Sequence, residues 1–382
     1  MKKILVLGGV GAMAGETTID LVNTSDFDKI TVADIDIAKA ENFTAKLEDE
    51  RLQVVKINAE SIGDMAKLMS GYDMVANGLP RDYCENAIKA AIIAKVDMLD
   101  LISPHEETLA LDSEAKAAEI SVVGGVGITP GITNILAQLG ADRLESVEKI
   151  DIDFAAFRSI AHSPGLLHVI LWEFDPRTET RFYYDSGKLI ANPPFAGAKT
   201  VDFPEPIGRQ TTYYVPHGES QTLSKNIAGV KRVYIRGCFP PRAMALVKAL
   251  HDYGMYASEP VRFEDREIQP LEFFRHYLLN SPEGDQTEVW GYSVQVAVTG
   301  RLKGGRVLCR FVTSHPPMEK WGGRRAYSKN VGIPLSIGAQ MLAAGKALKK
   351  GVDGVETMLP AAEFVTELRK RDFVINESLI YL

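Results

Sequence analysis

The chain has 382 residues, enough for two or three domains at about 150 each, and its 46 % hydrophobic content excludes a disordered polymer. Forty-three basic against 50 acidic side chains leave a formal charge of −7, without the basic excess of a general nucleic-acid binder. Cys84, Cys238 and Cys309 stand far apart, which excludes a disulfide scaffold and a structural zinc site, and no metal is expected. No run approaches the ~18–20 apolar residues of a membrane span, nor does the start carry the apolar stretch of a signal peptide, so a cytoplasmic protein is expected.

In chain order, short apolar runs at Ile4–Leu7, Ile30–Ala33, Val54–Ile57, Met74–Ala76, Met98–Ile102 and Ile120–Val123 predict strands. Helical periodicity between them predicts helices over Ala12–Asn23, Ile37–Leu47, Ile62–Met69, Asp82–Ala94 and Glu107–Ala118. Strands separated by helices of this length read as βαβ units, giving a doubly wound parallel sheet over residues 1–125. After Pro130-Gly131 a helix over Ile132–Leu144 leads into alternating strands at Val147–Phe154, Arg181–Tyr184, Val230–Arg236, Val289–Thr299 and Arg306–Thr313. Helices are predicted at Ala243–Tyr253 and Leu271–Leu279, and the Pro- and Gly-bearing stretch Asn192–Ser220 reads as loop. Residues 126–328 are therefore expected to form an α+β domain on a mostly antiparallel sheet, for substrate binding, catalysis and oligomerisation. In the last segment, 329–382, Pro334 is placed in the first turn of a helix running to Lys349, and Leu359-Pro360 opens another. Some 55 residues are too few for a third core, so this segment is expected to pack back on the first domain.

Gly9, Gly11 and Ala14 fit G-x-G-x-x-G/A between the first strand and the first helix. In such a turn small residues let a pyrophosphate approach the backbone, and the N–H groups at the helix start (here Ala12 and Met13) face the anion. Asp34 closes the second strand about 20 residues on, where a carboxylate accepts hydrogen bonds from ribose hydroxyls. With no basic residue before Lys39, the expected cofactor is NAD in preference to NADP. Asp36 reads as a helix N-cap, and no Gly-Lys-Ser/Thr follows the glycines, which excludes a P-loop.

Residues 1–36, Val75-Ala76-Asn77-Gly78-Leu79, Leu99-Asp100-Leu101 and the Pro130-Gly131-x-x-Asn134 step together resemble the saccharopine dehydrogenase-like oxidoreductases. Gly354-Val355-Glu356 through Pro360 and Leu368–Glu377 resemble the tail of lysine 6-dehydrogenases. The resemblance implies a Rossmann cofactor domain and oxidation or reduction of a C–N bond in an amino acid or amine. It further implies that Gly9, Gly11, Asp34 and Asn58 hold the adenosine diphosphate half, with Asn77, Gly78, Asp100 and Leu101 near the nicotinamide. Saccharopine reductases carry Cys-Gly-Leu-Asp-Pro-Gly where this chain has Val126-Gly127-Ile128-Thr129-Pro130-Gly131, which points toward oxidative deamination of the lysine 6-dehydrogenase type. The alternatives are a reductive condensing enzyme of the saccharopine reductase or carboxynorspermidine dehydrogenase type, and a non-catalytic dinucleotide-binding regulator.

Amine oxidation needs a general base near the working pH, which is the acid of the reverse reaction. Asp100, His168 and His217 are the catalytic candidates, with His105 beside the fifth strand also in view. Arg236 is the candidate for a substrate carboxylate, with Arg158, Arg324 and Arg325 as other arginines of interest. Tyr83, Trp172 and Thr222 complete the expected substrate pocket. The partner is a small amino-acid-like or amine substrate, with neither nucleic acid nor membrane, and analogy suggests a dimer or larger homo-oligomer.

Overall fold

The computed structural model describes residues 2–287, 289–314 and 316–382, in two compact units. The first comprises residues 1–146, 222–228 and 328–373; the second comprises 147–221, 229–327 and 374–382.

The first unit opens with β1 (Lys3–Leu7), α1 (Ala14–Thr24), β2 (Lys29–Asp34), α2 (Ile37–Ala45), β3 (Leu52–Lys56), α3 (Ile62–Met69), β4 (Met74–Asn77), α4 (Cys84–Ala94) and β5 (Asp97–Asp100). The predicted helix over Glu107–Ala118 is two short ones, α5 (Glu106–Leu109) and α6 (Asp112–Ala117), followed by β6 (Ser121–Gly124) and α7 (Ile132–Ala141). All pairings are parallel, in the order β3-β2-β1-β4-β5-β6 followed by strand Gly351–Gly354 from the C-terminal segment. The middle strands are buried on both faces, as helices on either side require, which is why they read as continuous apolar runs. This is the doubly wound Rossmann sheet expected of the first part of the chain.

Three stretches differ from the sequence expectation here. Pro334 lies inside a 19-residue helix, Arg325–Ala343, and not in its first turn. An interior proline forgoes one amide donor; burial of Leu335, Ile337, Ala339 and Met341 in the same helix offsets that loss. The segment Thr222–Ala228, which includes the end of the helix Glu219–Asn226, rejoins the first unit although it falls mid-chain, and the last nine residues leave that unit for the second. Within the first unit the C-terminal segment meets the start of α1, where the Thr17 hydroxyl donates to the Gly332 carbonyl at 2.8 Å.

The second unit is built on a nine-stranded sheet in the spatial order Lys199–Asp202, Arg209–Tyr214, Arg232–Cys238, Ser146–Phe157, Gly291–Leu302, Gly305–Ser314, Val374–Tyr381, with the hairpin Phe182–Asp185 and Lys188–Ala191 added beside Arg232–Cys238. Most pairs are antiparallel, while Ser146–Phe157 and Arg232–Cys238 run parallel. Part of the stretch read as loop, Asn192–Ser220, supplies the antiparallel edge pair Lys199–Asp202 and Arg209–Tyr214. Pro204 and Gly208 close the turn between those strands, so their punctuation masked two short strands. Among the described residues no helix is long and apolar enough to cross a membrane.

Candidate active site

Because every strand of the first sheet runs the same way, their carboxyl ends share one edge, the place where open α/β sheets bind ligands. The Gly8 N–H donates to the Ala33 carbonyl at 2.8 Å and the Gly11 N–H to the Gly8 carbonyl at 2.8 Å, so the chain reverses there before α1 starts. Gly8 has φ +63° and is the residue that makes the tight bend, where the sequence motif placed that role on Gly9. The second of two adjacent glycines completed the spacing pattern; only the backbone shows which one turns. Gly9 lies against Val6 and Val32, where a Cβ would come within 3.0 Å of the Val32 side chain. Ala14 packs so closely on β4 that a Cβ at Gly78 would fall 2.4 Å from its own. Gly11 and Ala12, half-exposed and exposed, leave small side chains at the turn that leads into an 11-residue helix, with the half-exposed Met13 as its N-cap. These features fit the diphosphate of a dinucleotide.

Asp34 ends β2, half-buried, and its carboxylate accepts from the Asp36 N–H at 3.1 Å. Asp36 caps α2 through the Lys39 N–H at 3.0 Å. Asn58 is exposed just after β3 and accepts from the Glu60 N–H. Asn77 and Asp100, both buried, join β4 to β5: Asn77 Nδ2 donates to Asp100 Oδ2 at 2.7 Å. Asp100 Oδ1 accepts from the Ile102 N–H at 2.7 Å, and the Cys84 thiol lies 3.6 Å from it. Burial raises the Asp100 carboxyl to about 6, against the hydrogen bonds that favour its charge. Both oxygens are thus engaged in holding the turn and Asn77, which makes Asp100 a positioning group at this edge. His105, half-buried, caps α5, and burial lowers its pKa.

The Pro130-Gly131 step also has a physical role. Gly131 has φ +136°, and a Cβ there would fall 2.0 Å from the Gly127 oxygen. Asn134 Oδ1 accepts from the Gly131 N–H, while its Nδ2 donates to Thr222 Oγ1 at 3.1 Å and Glu356 Oε2 at 3.0 Å. Asn226 adds donors to Glu356 Oε1 and Asp353 Oδ1. Thr222, expected among substrate-binding residues, is instead buried in this network of the first unit. Its neighbour in sequence, Gln221, closes a second-unit segment; a one-residue boundary of this kind leaves no local trace.

In the second unit the half-buried His217 meets the buried Glu173, which sequence reasoning passed over. His217 Nε2 lies 3.0 Å from Glu173 Oε1, and Nδ1 has no hydrogen-bond partner. Burial alone would lower the His217 pKa, but the Glu173 carboxylate, aided by Glu219, leaves it raised. Phe154 stacks on the imidazole at 5.1 Å and on Tyr292 at 5.6 Å. The signal for Glu173 was its spacing: penultimate in an apolar helix and three residues after Ile170, it shares that residue's inward side. His168 belongs to the same helix, Pro164–Phe174, but is exposed, because Leu167, Ile170, Leu171 and Phe174 occupy the buried face. Trp172 and Tyr83 are each half-buried, in different units.

Arg236 is already paired. Its guanidinium donates to Asp151 Oδ1 at 2.7 Å, to the Gly197 carbonyl and to the Tyr214 hydroxyl, and lies over the Tyr214 ring. It holds adjacent strands together and has no need of a substrate carboxylate. A cavity of about 840 Å³ lies elsewhere in this unit, lined by Arg158, Arg242, Arg324, Glu283 and Asp285 together with Phe157 and Leu278. Asp285 accepts from Ser159 Oγ at 2.7 Å and Arg324 NH1 at 2.8 Å, with His162 Nδ1 3.0 Å away. Burial would raise the Asp285 pKa, but these partners keep it lowered. Among the described residues no group of three or more His, Cys, Asp or Glu side chains is placed to hold a metal ion.

Residues 4–123 match the model of the saccharopine dehydrogenase NADP binding domain, and residues 127–373 that of the saccharopine dehydrogenase C-terminal domain. The chain belongs to the saccharopine dehydrogenase family. Family membership makes it a nicotinamide-dinucleotide-binding oxidoreductase of the dehydrogenase type. It is 24 % identical to the carboxyaminopropylagmatine dehydrogenase of Synechocystis, a match covering 94 % of both chains. Among solved structures it resembles the apo saccharopine dehydrogenase (L-Glu forming) of Saccharomyces cerevisiae, with TM-score 0.72 and 17 % identity over the full length of both chains, a likeness of fold.

Proposed function

We propose that this dehydrogenase acts on the C–N bond of an amino-acid derivative and uses NAD in preference to NADP. The observation that carries the reaction is the end-to-end similarity to a carboxyaminopropylagmatine dehydrogenase, both domains included, which favours reductive joining of an amine to a carbonyl compound. Oxidative deamination of a lysine-like amine is the second reading, favoured by Val126 and Thr129 at the positions of the Cys and Asp in the saccharopine reductase pattern. Both share one elementary change: hydride leaves or joins the carbon of a C–N bond while a proton leaves or joins the nitrogen.

Gly8, Gly9, Gly11, Ala12 and Met13 would hold the diphosphate, Asp34 the adenosine ribose, and Asn77, Gly78 and Leu101 the nicotinamide half, with Asn58 beside the adenosine. The dinucleotide supplies the hydride donor or acceptor. Asp100 keeps Asn77 in place. His217 is the proton carrier in this reading: Glu173 holds its Nε2 side and, with Glu219 4.0 Å from Nδ1, favours the protonated ring, and Nδ1, which makes no hydrogen bond, is the atom placed to exchange a proton. Asp34 supports NAD because a carboxylate repels a 2′-phosphate and the β2–α2 turn offers no Arg or Lys to attract one.

The test is turnover by the full chain. NAD+ and NADP+ are offered with ω-amino acids, diamines and N-carboxyalkyl secondary amines; NADH and NADPH are offered with aldehydes or 2-oxo acids plus an amine. Absorbance change at the nicotinamide band with a C–N substrate is expected. Turnover confined to alcohols, or dinucleotide binding without turnover in either direction, would overturn the reading.

A further inference from the structure

We infer that the cavity of the second unit is an anion-recognition site in which Arg158 selects ligands carrying a carboxylate. Calling that ligand the substrate rests on the C–N reading above; the existence of the site does not.

Arg158 is 1 % exposed and follows directly on the strand Ser146–Phe157. Its NH1 donates to the Ser159 carbonyl at 3.0 Å and its NH2 to the Leu166 carbonyl at 2.8 Å, while Nε has no partner. The guanidinium lies over the rings of Phe239 at 5.0 Å and Tyr327 at 5.3 Å. No carboxylate among the described residues lies within ion-pair distance of it. A guanidinium cannot shed its proton, and an ion taken out of water costs several kcal/mol unless it is matched.

Two other well-covered arginines of this chain are matched by carboxylates, and a third, Arg181, shares the unpartnered Nε but feels nearby acidic charge. Arg236 faces Asp151 at 2.7 Å, and Arg371 faces Asp20 at 2.9 Å and Glu367 at 3.0 Å. Arg181, equally buried, donates to three backbone carbonyls and feels the charges of Glu173 and Asp175. Of these four, Arg158 is the one that lines the cavity described above.

The cavity wall carries the same imbalance. Arg158, Arg242 and Arg324 stand against Glu283 and Asp285, leaving one positive charge unmatched. Asp285 is already shared among Ser159, His162 and Arg324, and among the described residues Arg242 donates to the neutral Gln286 amide at 3.0 Å and forms no ion pair. One carboxylate brings the wall to neutrality and supplies an oxygen acceptor to the planar guanidinium fork. Phe157, Phe274 and Leu278 give the same wall an apolar part for a short alkyl chain.

The experiment compares three five-carbon probes that differ only in their end groups: glutarate, 5-aminopentanoate and 1,5-diaminopentane. Inorganic phosphate serves as a fourth. Each is titrated calorimetrically into the full chain, with and without saturating NADH. Glutarate and 5-aminopentanoate are expected to bind at least tenfold more tightly than the diamine. Arg158→Gln is expected to remove that preference, and Arg242→Ala, at an exposed position, to weaken both carboxylates about threefold with the melting temperature unchanged. Should Arg158→Gln fail to fold, Leu246→Trp, which fills the cavity without altering its charge, is expected to abolish carboxylate binding. Equal binding of the diamine, tighter binding of phosphate than of either carboxylate, or carboxylate affinity unaffected by the folded variants overturns the inference. Because no turnover is read, failure here leaves the C–N reading standing, and absence of turnover leaves this site standing.

Discussion

The two units handle buried polarity in opposite ways. In the Rossmann unit, Asn77 with Asp100, and Asn134 with Glu356 and Asn226, form closed hydrogen-bonded sets at strand ends. The buried polar atoms left without a partner there are the hydroxyls of Thr31 and Ser103. In the second unit the unpartnered atoms include nitrogens and oxygens of ionisable side chains: Arg158, Glu173, Arg181, His217 and Tyr256. A satisfied polar set stabilises a fold, whereas an unsatisfied charge is tolerated where a ligand or a proton completes it. The polar groups of the first unit thus position backbone, while the second unit keeps more ionisable side chains with an unpartnered atom.

Removing single groups from either side tests this contrast. The largest effect is expected from Glu173→Ala, which removes the hydrogen-bonded carboxylate from the partly buried His217 and leaves only Glu219 near its ring. A loss of about 3–5 kcal/mol in urea unfolding is expected, and a histidine titration by NMR should show the His217 pKa falling from its raised value, since only Glu219 is then left to oppose burial. An unmoved His217 would show that Glu173 does not hold it.

Asp100→Ala probes the scaffold side. It strands the Asn77 Nδ2 and Ile102 N–H donors and is expected to lose about 2–3 kcal/mol at neutral pH. In the wild type the carboxyl is raised to about 6, so the native state binds more protons than the unfolded chain between about pH 4 and pH 6. Stability from this group is therefore present below about pH 4 and lost as pH rises through 6; the variant should lack that decline. An identical pH slope in both proteins would place the proton elsewhere.

Asp34→Ala addresses the cofactor edge. NAD is expected to bind about tenfold more weakly, ~1.4 kcal/mol, and NADP to gain relative to it, as read by fluorescence titration of the reduced dinucleotides. Tighter binding of NADP by the unaltered protein would reverse the Asp34 argument.

The smallest expected effect is the pH dependence of the His217–Glu173 pair. The folded pKa of His217 is raised, so its contribution to stability is complete below the unfolded value of about 6.5 and is lost as pH rises through the folded value. His217→Gln should flatten the unfolding midpoint over that alkaline stretch. Reductive turnover should fall across the same interval as the ring loses its proton.

The Rossmann unit was readable residue by residue because its signals are local. An apolar run, a glycine turn and a helical period each specify their own element within a dozen residues, and Asp36 capping α2 follows from its position alone. The candidate site was readable only in part. His217 stands out as a residue type, but its partner Glu173 is 44 residues away, and the hydrogen bond to it is a product of folding. The two arginines make the point most clearly: Arg236 reads as the partner of a substrate carboxylate and is paired with Asp151, whereas Arg158 reads as solvated and is buried beside a cavity.

Sequence by itself determined the parallel sheet, the dinucleotide turn and the family resemblance, since these depend on spacing along the chain. Tertiary structure alone decided that Gly8 makes the bend, that Pro334 sits inside a helix, and that Thr222–Ala228 returns to the first unit. It also decided which charges are matched. Charge pairing depends on distances between residues far apart in sequence, and neither composition nor periodicity encodes those distances.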